Sequence, residues 1–468
     1  MNITSLQRVY NYLKSKSEPY GGYYFLLHPY FIPIDLDLIK QITTRDFEYF
    51  YNRYMHTDES DPLSSHLVAL KGAKWKHMRT KLSPAFTSAK NKMVIPVVIK
   101  CIESLTEILD EITSTQKSIE MKKLNGKLLM NVIAACAFGL EINALKQESE
   151  FEQNAIRYFD TTLKVTIQRF LTMFFPDILS LFKIRSIRED VGQFFLRIVQ
   201  ETIKYREEND IIRSDFMHLL IQIRNNVKID DNQVGGISSN SLEKKTLTIS
   251  EIASQCLMFF MAGYESSSST VTFCLYELSL NQELQEKARK EIENAVAKHK
   301  ELNYDAIEEL DFLNKCIKET LRKYPTGTYL SRQCTKDYKI PNTNLTIEKG
   351  TAVLIPVFAM HRDPELYPEP DKFDPERFSE ENINKRHPSA WIPFGLGPRL
   401  CIGDMIQMNE VENPLECDTH TVVRRITSCQ QLIGLSSNLQ PPSTLLPFET
   451  STFSGSTDFL SYTFYEIE

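Results

Sequence analysis

The sequence predicts a mainly α-helical fold with a small peripheral β-sheet, and three observations carry that prediction. Stretches at 92–113, 124–139, 188–206 and 281–300 hold apolar residues three and four positions apart, the period that gathers them on one helix face. Strand-like runs are few and short: 23–27, 338–340, and 352–356 after the Glu348-Lys349-Gly350 turn. No internal repeat is visible, and the polar, Asn- and Gly-containing stretch 225–245 reads as an exposed loop.

Composition bounds the rest. With 468 residues, 42% hydrophobic and 25% charged, the chain can bury a large core, which excludes disordered, collagen-like and disulfide-scaffold classes. One large domain or two ordinary ones fit this length. The net charge of -7 is unevenly placed: residues 404–468 hold nine acids, two arginines and no lysine, so 1–403 is neutral. A neutral body argues against nucleic acid as the main partner, because phosphate binding needs a basic excess. Nine scattered cysteines without a CxxC point to a reducing compartment and at most one or two functional thiols. The first residues show no leader pattern and no run of about 18 apolar residues.

The specific signals lie in the second half. Thr248-Ile249-Ser250-Glu251 has the form of a capping box, and a helix of about 30 residues to Asn281 would span roughly 45 Å. Its middle, 262–270, places small and hydroxylated residues and one carboxylate where a core helix is normally apolar. Two readings fit: an amphipathic helix with a solvent-facing serine stripe, or a site where Gly263 admits a flat ligand while Glu265 and Ser266 handle protons. Glu319 and Arg322 share a helix face, a common pairing that Glu286 and Arg289 repeat, but Arg377 in Pro375-Glu376-Arg377-Phe378 could lock the same carboxylate. The strongest signal is 394–403, Phe-Gly-Leu-Gly-Pro-Arg-Leu-Cys-Ile-Gly. There Cys401 stands alone in a Gly/Pro loop whose backbone N–H groups suit a thiolate held as a metal ligand.

At these residues the sequence resembles the cytochrome P-450 family of haem-thiolate monooxygenases. The resemblance runs in order through Trp75-Lys76-His77-Met78-Arg79, Ala262 to Ser267, Glu319 to Arg322, Pro375 to Phe378 and Phe394 to Gly403. The stretches 81–88 and 361–368 look most like the insect microsomal branch linked with detoxification. The resemblance implies haem b with Cys401 as the axial thiolate, a cofactor pocket of Trp75, Arg79, Ala262, Gly263, Arg332, Phe394, Arg399 and Gly403, and a buried ion network of Glu319, Arg322 and Arg377. Glu265 and Ser266 match its distal acid and alcohol, with Ser266 where Thr is common; serine keeps the hydroxyl but lacks the β-branch that stiffens χ1. The implied partners are dioxygen, a small lipophilic substrate, an NADPH-dependent reductase, cytochrome b5 and a membrane surface. NADPH acts only through the reductase, and the implied location is the cytoplasmic face of the endoplasmic reticulum. Lys71, Lys74, Lys76, His77, Arg79 and Lys81 make a basic helix on the side where the family receives its reductase, although a solvated helix face looks similar. The aromatic run 170–179 reads equally as a core helix or as the family's membrane-dipping substrate roof.

Both ends depart from the pattern. The branch begins with an apolar anchor that this chain lacks, and a packed helix should follow Gly403. Instead 404–468 is acidic and holds 16 Ser and Thr with four prolines, a composition that predicts a poorly ordered segment, and its departure from the family pattern is taken to mean an aberrant exon boundary or a shifted frame. The expectation is therefore a haem-thiolate domain over 1–403 with an atypical tail. Two functional readings follow, a working monooxygenase or an impaired relative that at most binds haem.

Overall fold

In a computed structural model of the chain, the structure describes residues 3–403 except 26–27, 56–60, 87, 116–119, 160–161, 163–164, 168–170, 172–184, 186, 214, 226–245 and 301–302. The acidic tail 404–468, nearly all of the polar loop 225–245 and most of the aromatic run 170–179 therefore lie outside the described residues.

The helical periods resolve into helices with identifiable ends. The period at 92–113 lies within Ser88–Thr115, and that at 188–206 within Glu189–Glu208. The period at 124–139 splits into an α-helix, Met121–Ile133, and a wider turn, Ala134–Phe138, closed by Gly139 at φ 69°. A side chain there would be strained, and its Cβ would meet the buried Arg206 guanidinium. Asn281 ends one helix and caps the next: its side chain accepts from the Leu284 N–H at 3.2 Å and starts Gln282–His299.

The longest helix, Ile249–Leu280, starts on the expected capping box, with the Glu251 N–H donating to Thr248 Oγ1 at 3.1 Å and Thr248 N–H donating to Glu251 Oε2 at 2.8 Å. It joins two apolar cores. Ile252, Cys256, Leu257 and Phe260 pack into one with Trp75, Leu129 and Phe195; Val271, Cys274, Leu275 and Leu278 pack into the other with Leu128, Leu313 and Cys316. The small and hydroxylated residues 262–270 fall between these cores. That interruption places polar groups at the centre of the molecule.

The peripheral sheet has four strands in the order β1 (Tyr20–Phe25), β2 (His28–Pro33), β6 (Ala352–Ile355), β3 (Leu330–Gln333), and β4 (Tyr338–Lys339) pairs with β5 (Thr346–Ile347) separately. β2, β3 and β5 were not expected from the sequence. Pro29 and Pro33 disguise β2, which runs parallel to β6 for only Tyr30↔Ala352 and Phe31↔Val353. β3 pairs antiparallel to β6, Arg332 opposite Val353, although two of its four residues are charged or amide-bearing. The helix Ile3–Ser15 packs Leu6, Tyr10 and Leu13 into a core with Tyr30, Ile32 and Leu354 of the sheet, and Tyr10 donates to Asp363 at 2.6 Å. Among the described residues no helix is long and apolar enough to cross a membrane.

Candidate active site

The cysteine loop is shaped by two glycines in the left-handed region, Gly395 at φ 94° and Gly397 at φ 75°, followed by a short turn, Gly397–Arg399. The loop closes on itself: the Cys401 N–H donates to the Phe394 carbonyl at 2.9 Å and the Leu400 N–H to the Gly397 carbonyl at 2.8 Å. Cys401 and Phe394 are half-buried and Gly403 is buried, while Cys256, Cys274, Cys316 and Cys334 are buried thiols away from this loop.

Around the loop stand four arginines. Arg79 and Trp75 come from the helix Gly72–Leu82, Arg332 from β3, Arg399 from the loop, and Arg53 from the segment joined to β3 by the bridge Asn52↔Gln333. The Arg399 guanidinium lies 4.1 Å from the Trp75 ring centre and donates to the carbonyls of Tyr51 at 2.8 Å and Leu70 at 2.6 Å. Arg53 donates to the Arg399 carbonyl at 3.2 Å.

Burial disfavours all four charges. It brings Arg79 down to about 10, Arg332 to about 9, and Arg399 to about 8, where repulsion from Arg53, Arg332 and Arg79 adds to it. Arg53 is likewise lowered by burial, and the negative charge available at Cys401 opposes the shift in Arg53 and Arg79. Burial, with repulsion from Arg53, also holds the His66 imidazole down near 4, so it is neutral. Arg79 Nε and Nη2 and Arg332 Nε and Nη2 are buried with no hydrogen-bond partner among the described residues. Buried guanidinium donors of this kind require an acceptor, and a bidentate carboxylate fits their geometry. The residues present therefore fit a flat, di-acidic prosthetic group whose carboxylates meet the arginines and whose metal meets Cys401.

Behind the loop, Arg322 grips Glu319 bidentately, Nε to Oε2 at 2.6 Å and Nη2 to Oε1 at 2.8 Å, and donates to the carbonyls of His361 at 2.9 Å and Pro370 at 2.8 Å. Arg377 adds charge: its Nε stands 3.4 Å from Glu319 Oε1, while its Nη2 donates to the Glu369 carbonyl at 3.0 Å. Burial still keeps the Glu319 carboxyl above its usual range, against the pull of Arg322 and Arg377. The second copy of the pairing differs, since Glu286 is exposed and meets Arg289 at the surface.

On the long helix, Ala262 is half-buried and Gly263 buried. Ser266 Oγ donates to the Ala262 carbonyl, and the Glu265 carboxylate is bound by Lys122 of the helix Met121–Ile133. Neither expected proton-handling group is bonded to the other among the described contacts.

A profile of the family described as Cytochrome P450 matches residues 3–416. The chain is a member of the cytochrome P450 family. It is 38% identical over 405 residues to "Probable cytochrome P450 6a14" of Drosophila melanogaster, covering 85% of this chain and 79% of that protein. It is 40% identical to "Cytochrome P450 6a2" of the same fly, over 84% and 78%, and 37% identical to "Cytochrome P450 6k1" of Blattella germanica, over 85% and 77%. This cytochrome P450 is accordingly a haem monooxygenase whose family takes a cysteine thiolate on the iron, acts on lipophilic substrates with dioxygen, and draws NADPH electrons through a reductase. Sequence reasoning missed Arg53 and Lys122. Each stands outside any spaced motif, and only the fold brings them to the site.

Proposed function

We propose that Cys401 is the axial thiolate of this cytochrome P450 and that Arg53, Arg79, Arg332 and Arg399, with Trp75, hold the propionate edge of the haem. The observation that carries this reading is the set of buried, unpartnered donors on Arg79 and Arg332 beside the Cys401 loop. A haem held there would supply the activation of dioxygen, which puts one oxygen atom into the substrate and releases the other as water at the cost of two electrons from NADPH through the reductase and two protons.

The chain's own residues do the rest. Two left-handed glycines shape the Cys401 loop, and the charges of Arg53 and Arg79 interact favourably with a thiolate there. Gly263, buried and without a side chain, would let a flat ring system approach the long helix, and Phe394 would help to cover the group beside Cys401. Ser266 and Glu265 handle the protons that oxygen activation consumes, with Ser266 Oγ turning from the Ala262 carbonyl to donate. Phe86 and Phe216 gather on Phe259, one turn before Ala262, with ring centres within 6.3 Å of one another, an apolar cluster that supports a small lipophilic substrate and the exclusion of bulk water. The exposed Lys76 and the neighbouring basic residues of Gly72–Leu82 suit an acidic reductase or cytochrome b5, and the relatives' branch supports detoxification-type substrates on the cytoplasmic face of the endoplasmic reticulum.

Reduced, carbon-monoxide-treated protein loaded with haem is expected to give the red-shifted Soret band of a thiolate-ligated iron, and Cys401→His to lose that shift while still binding haem. An unshifted band in the unsubstituted chain would show an impaired relative instead. Location has its own reporter. Asn344-Leu345-Thr346 is a glycosylation acceptor on the exposed β4–β5 turn. In microsomes it is expected to stay unmodified, and a glycan removable by endoglycosidase would place the domain in the lumen.

A further inference from the structure

We infer that Lys122 is a positioning residue for oxygen activation, acting through Glu265. This rests on the reading of Glu265 and Ser266 given above and goes beyond it by naming what aims the carboxylate.

Lys122 lies on the helix Met121–Ile133, which runs beside the middle of the long helix. Its ammonium donates to Glu265 Oε1 and to Ser269 Oγ at 3.0 Å, and Ser269 Oγ donates to Glu265 Oε1 at 3.2 Å, so the three groups close a ring. One turn along, Asn125 Nδ2 donates to Thr272 Oγ1 at 3.0 Å and continues the same seam. Residues 265, 269 and 272 share one helix face, whereas 266 lies about 100° from 265, because consecutive residues diverge by that angle around the axis. Ser266 Oγ is turned along its own face to the Ala262 carbonyl.

A glutamate has three rotatable bonds and reaches either face; Lys122 and Ser269 choose between them. They hold the carboxylate on the seam, where Lys122 is 27% and Glu265 15% exposed, a boundary between solvent and the helix interior. Glu265 thus meets solvent protons on one side and the Ser266 face on the other from a single restrained position. Without the ammonium, the carboxylate keeps only the Ser269 hydroxyl and samples other rotamers, so proton arrival at Ser266 becomes slower than loss of activated oxygen as peroxide. Near-attack alignment is sensitive at this level, and a misplaced acid loses about tenfold or more.

The test compares Lys122→Met, Lys122→Arg, Glu265→Gln and the Lys122→Met/Glu265→Gln pair in haem-loaded protein with matched haem content. Thermal unfolding comes first and needs no turnover: if the two side chains are partners, their effects on Tm are expected to be non-additive. Peroxide released per NADPH consumed is then expected to rise about threefold or more in Lys122→Met, to return to the unsubstituted ratio in Lys122→Arg, and to be the same in the Lys122→Met/Glu265→Gln pair as in Glu265→Gln alone. Additive Tm effects, an unchanged peroxide ratio in Lys122→Met, or failure of arginine to restore it would each overturn the role of Lys122. If Glu265→Gln alone leaves the ratio unchanged, the Glu265–Ser266 reading falls; if Glu265→Gln raises the ratio and Lys122→Met does not, that reading stands and only Lys122 is dismissed.

Discussion

Arg322→Met is expected to destabilise the folded protein by about 3–5 kcal/mol, because it leaves a buried carboxylate and two buried carbonyls without their donor. Glu319 and Arg322 are both fully buried. The arginine makes two charge-assisted bonds to Glu319 and two more to the carbonyls of His361 and Pro370, so one side chain joins its helix to the His361 turn and to the segment that leads to Arg377. Glu319 also accepts from the Asp374 N–H at 3.0 Å. The sign of the carboxyl shift matters here. Burial already raises it against the pull of the arginines, so removing Arg322 raises it further and the carboxyl takes up a proton rather than remaining a bare charge. That proton limits the loss, and the loss is therefore expected to grow as pH rises through the new, higher carboxyl range, where the folded state would have to surrender it. Neighbouring His361 offers no compensation: burial and Arg322 hold its imidazole down near 3, and its Nε2 already accepts from the Ile392 N–H at 3.1 Å. Denaturant titrations of Arg322→Met and of Arg322→Lys at two pH values measure this. Lysine keeps a charge but cannot reach four acceptors from one nitrogen, so it is expected to recover only part of the stability. Full recovery with lysine would mean that charge alone, and not the fork, holds the segments together.

Why the sequence revealed some of this and not the rest follows from where each interaction is encoded. The long helix, its capping box and the Asn281 break are local patterns, and residues 248–281 behave as their spacing predicts. The Cys401 loop is also local, since its glycines, proline and cysteine fall within ten residues. Strand β2 was hidden because its own prolines argue against a strand and, although it pairs with neighbouring β1, its place in the sheet is set by a two-residue match to β6, more than 300 residues later. Arg53 was hidden for the same reason: nothing near it announces a role, and its meaning comes from Arg332 and Arg399, which the fold delivers from β3 and the cysteine loop. Glu265 was legible as a carboxylate in an unusual place, but its Lys122 partner lies on a helix whose sequence reads as ordinary amphipathic packing. Spacing finds groups that act within one element; it cannot find the group that another element brings.

Gly397→Ala is expected to release haem from this cytochrome P450, and by a larger margin than backbone strain explains. At φ 75° an alanine costs about 1–2 kcal/mol on conformational grounds alone. A Cβ there would also lie 1.9 Å from the Thr43 carbonyl oxygen and 2.9 Å from its carbon, a contact with backbone rather than with a flexible side chain. Thr43 cannot easily retreat: it is fully buried, its hydroxyl donates to the Ile39 carbonyl at 2.7 Å, and its turn, Gln41–Arg45, is closed by the Asp46 N–H on the Gln41 carbonyl at 2.9 Å. The cysteine loop must then move, carrying the Arg399 guanidinium off the Tyr51 and Leu70 carbonyls and Cys401 away from the place proposed for the haem ligand. Gly350→Ala separates the two effects, because Gly350 has φ 95° and nothing within 4 Å of a built Cβ. Transfer of haem to excess apomyoglobin measures the outcome. Gly350→Ala is expected to lower stability by about 1–2 kcal/mol with haem transfer unchanged, and Gly397→Ala to accelerate transfer by about tenfold or more and to weaken the red-shifted carbon monoxide band. Equal behaviour of the two variants would mean that the loop does not depend on its seat against Thr43, and that Cys401 is positioned by the haem itself.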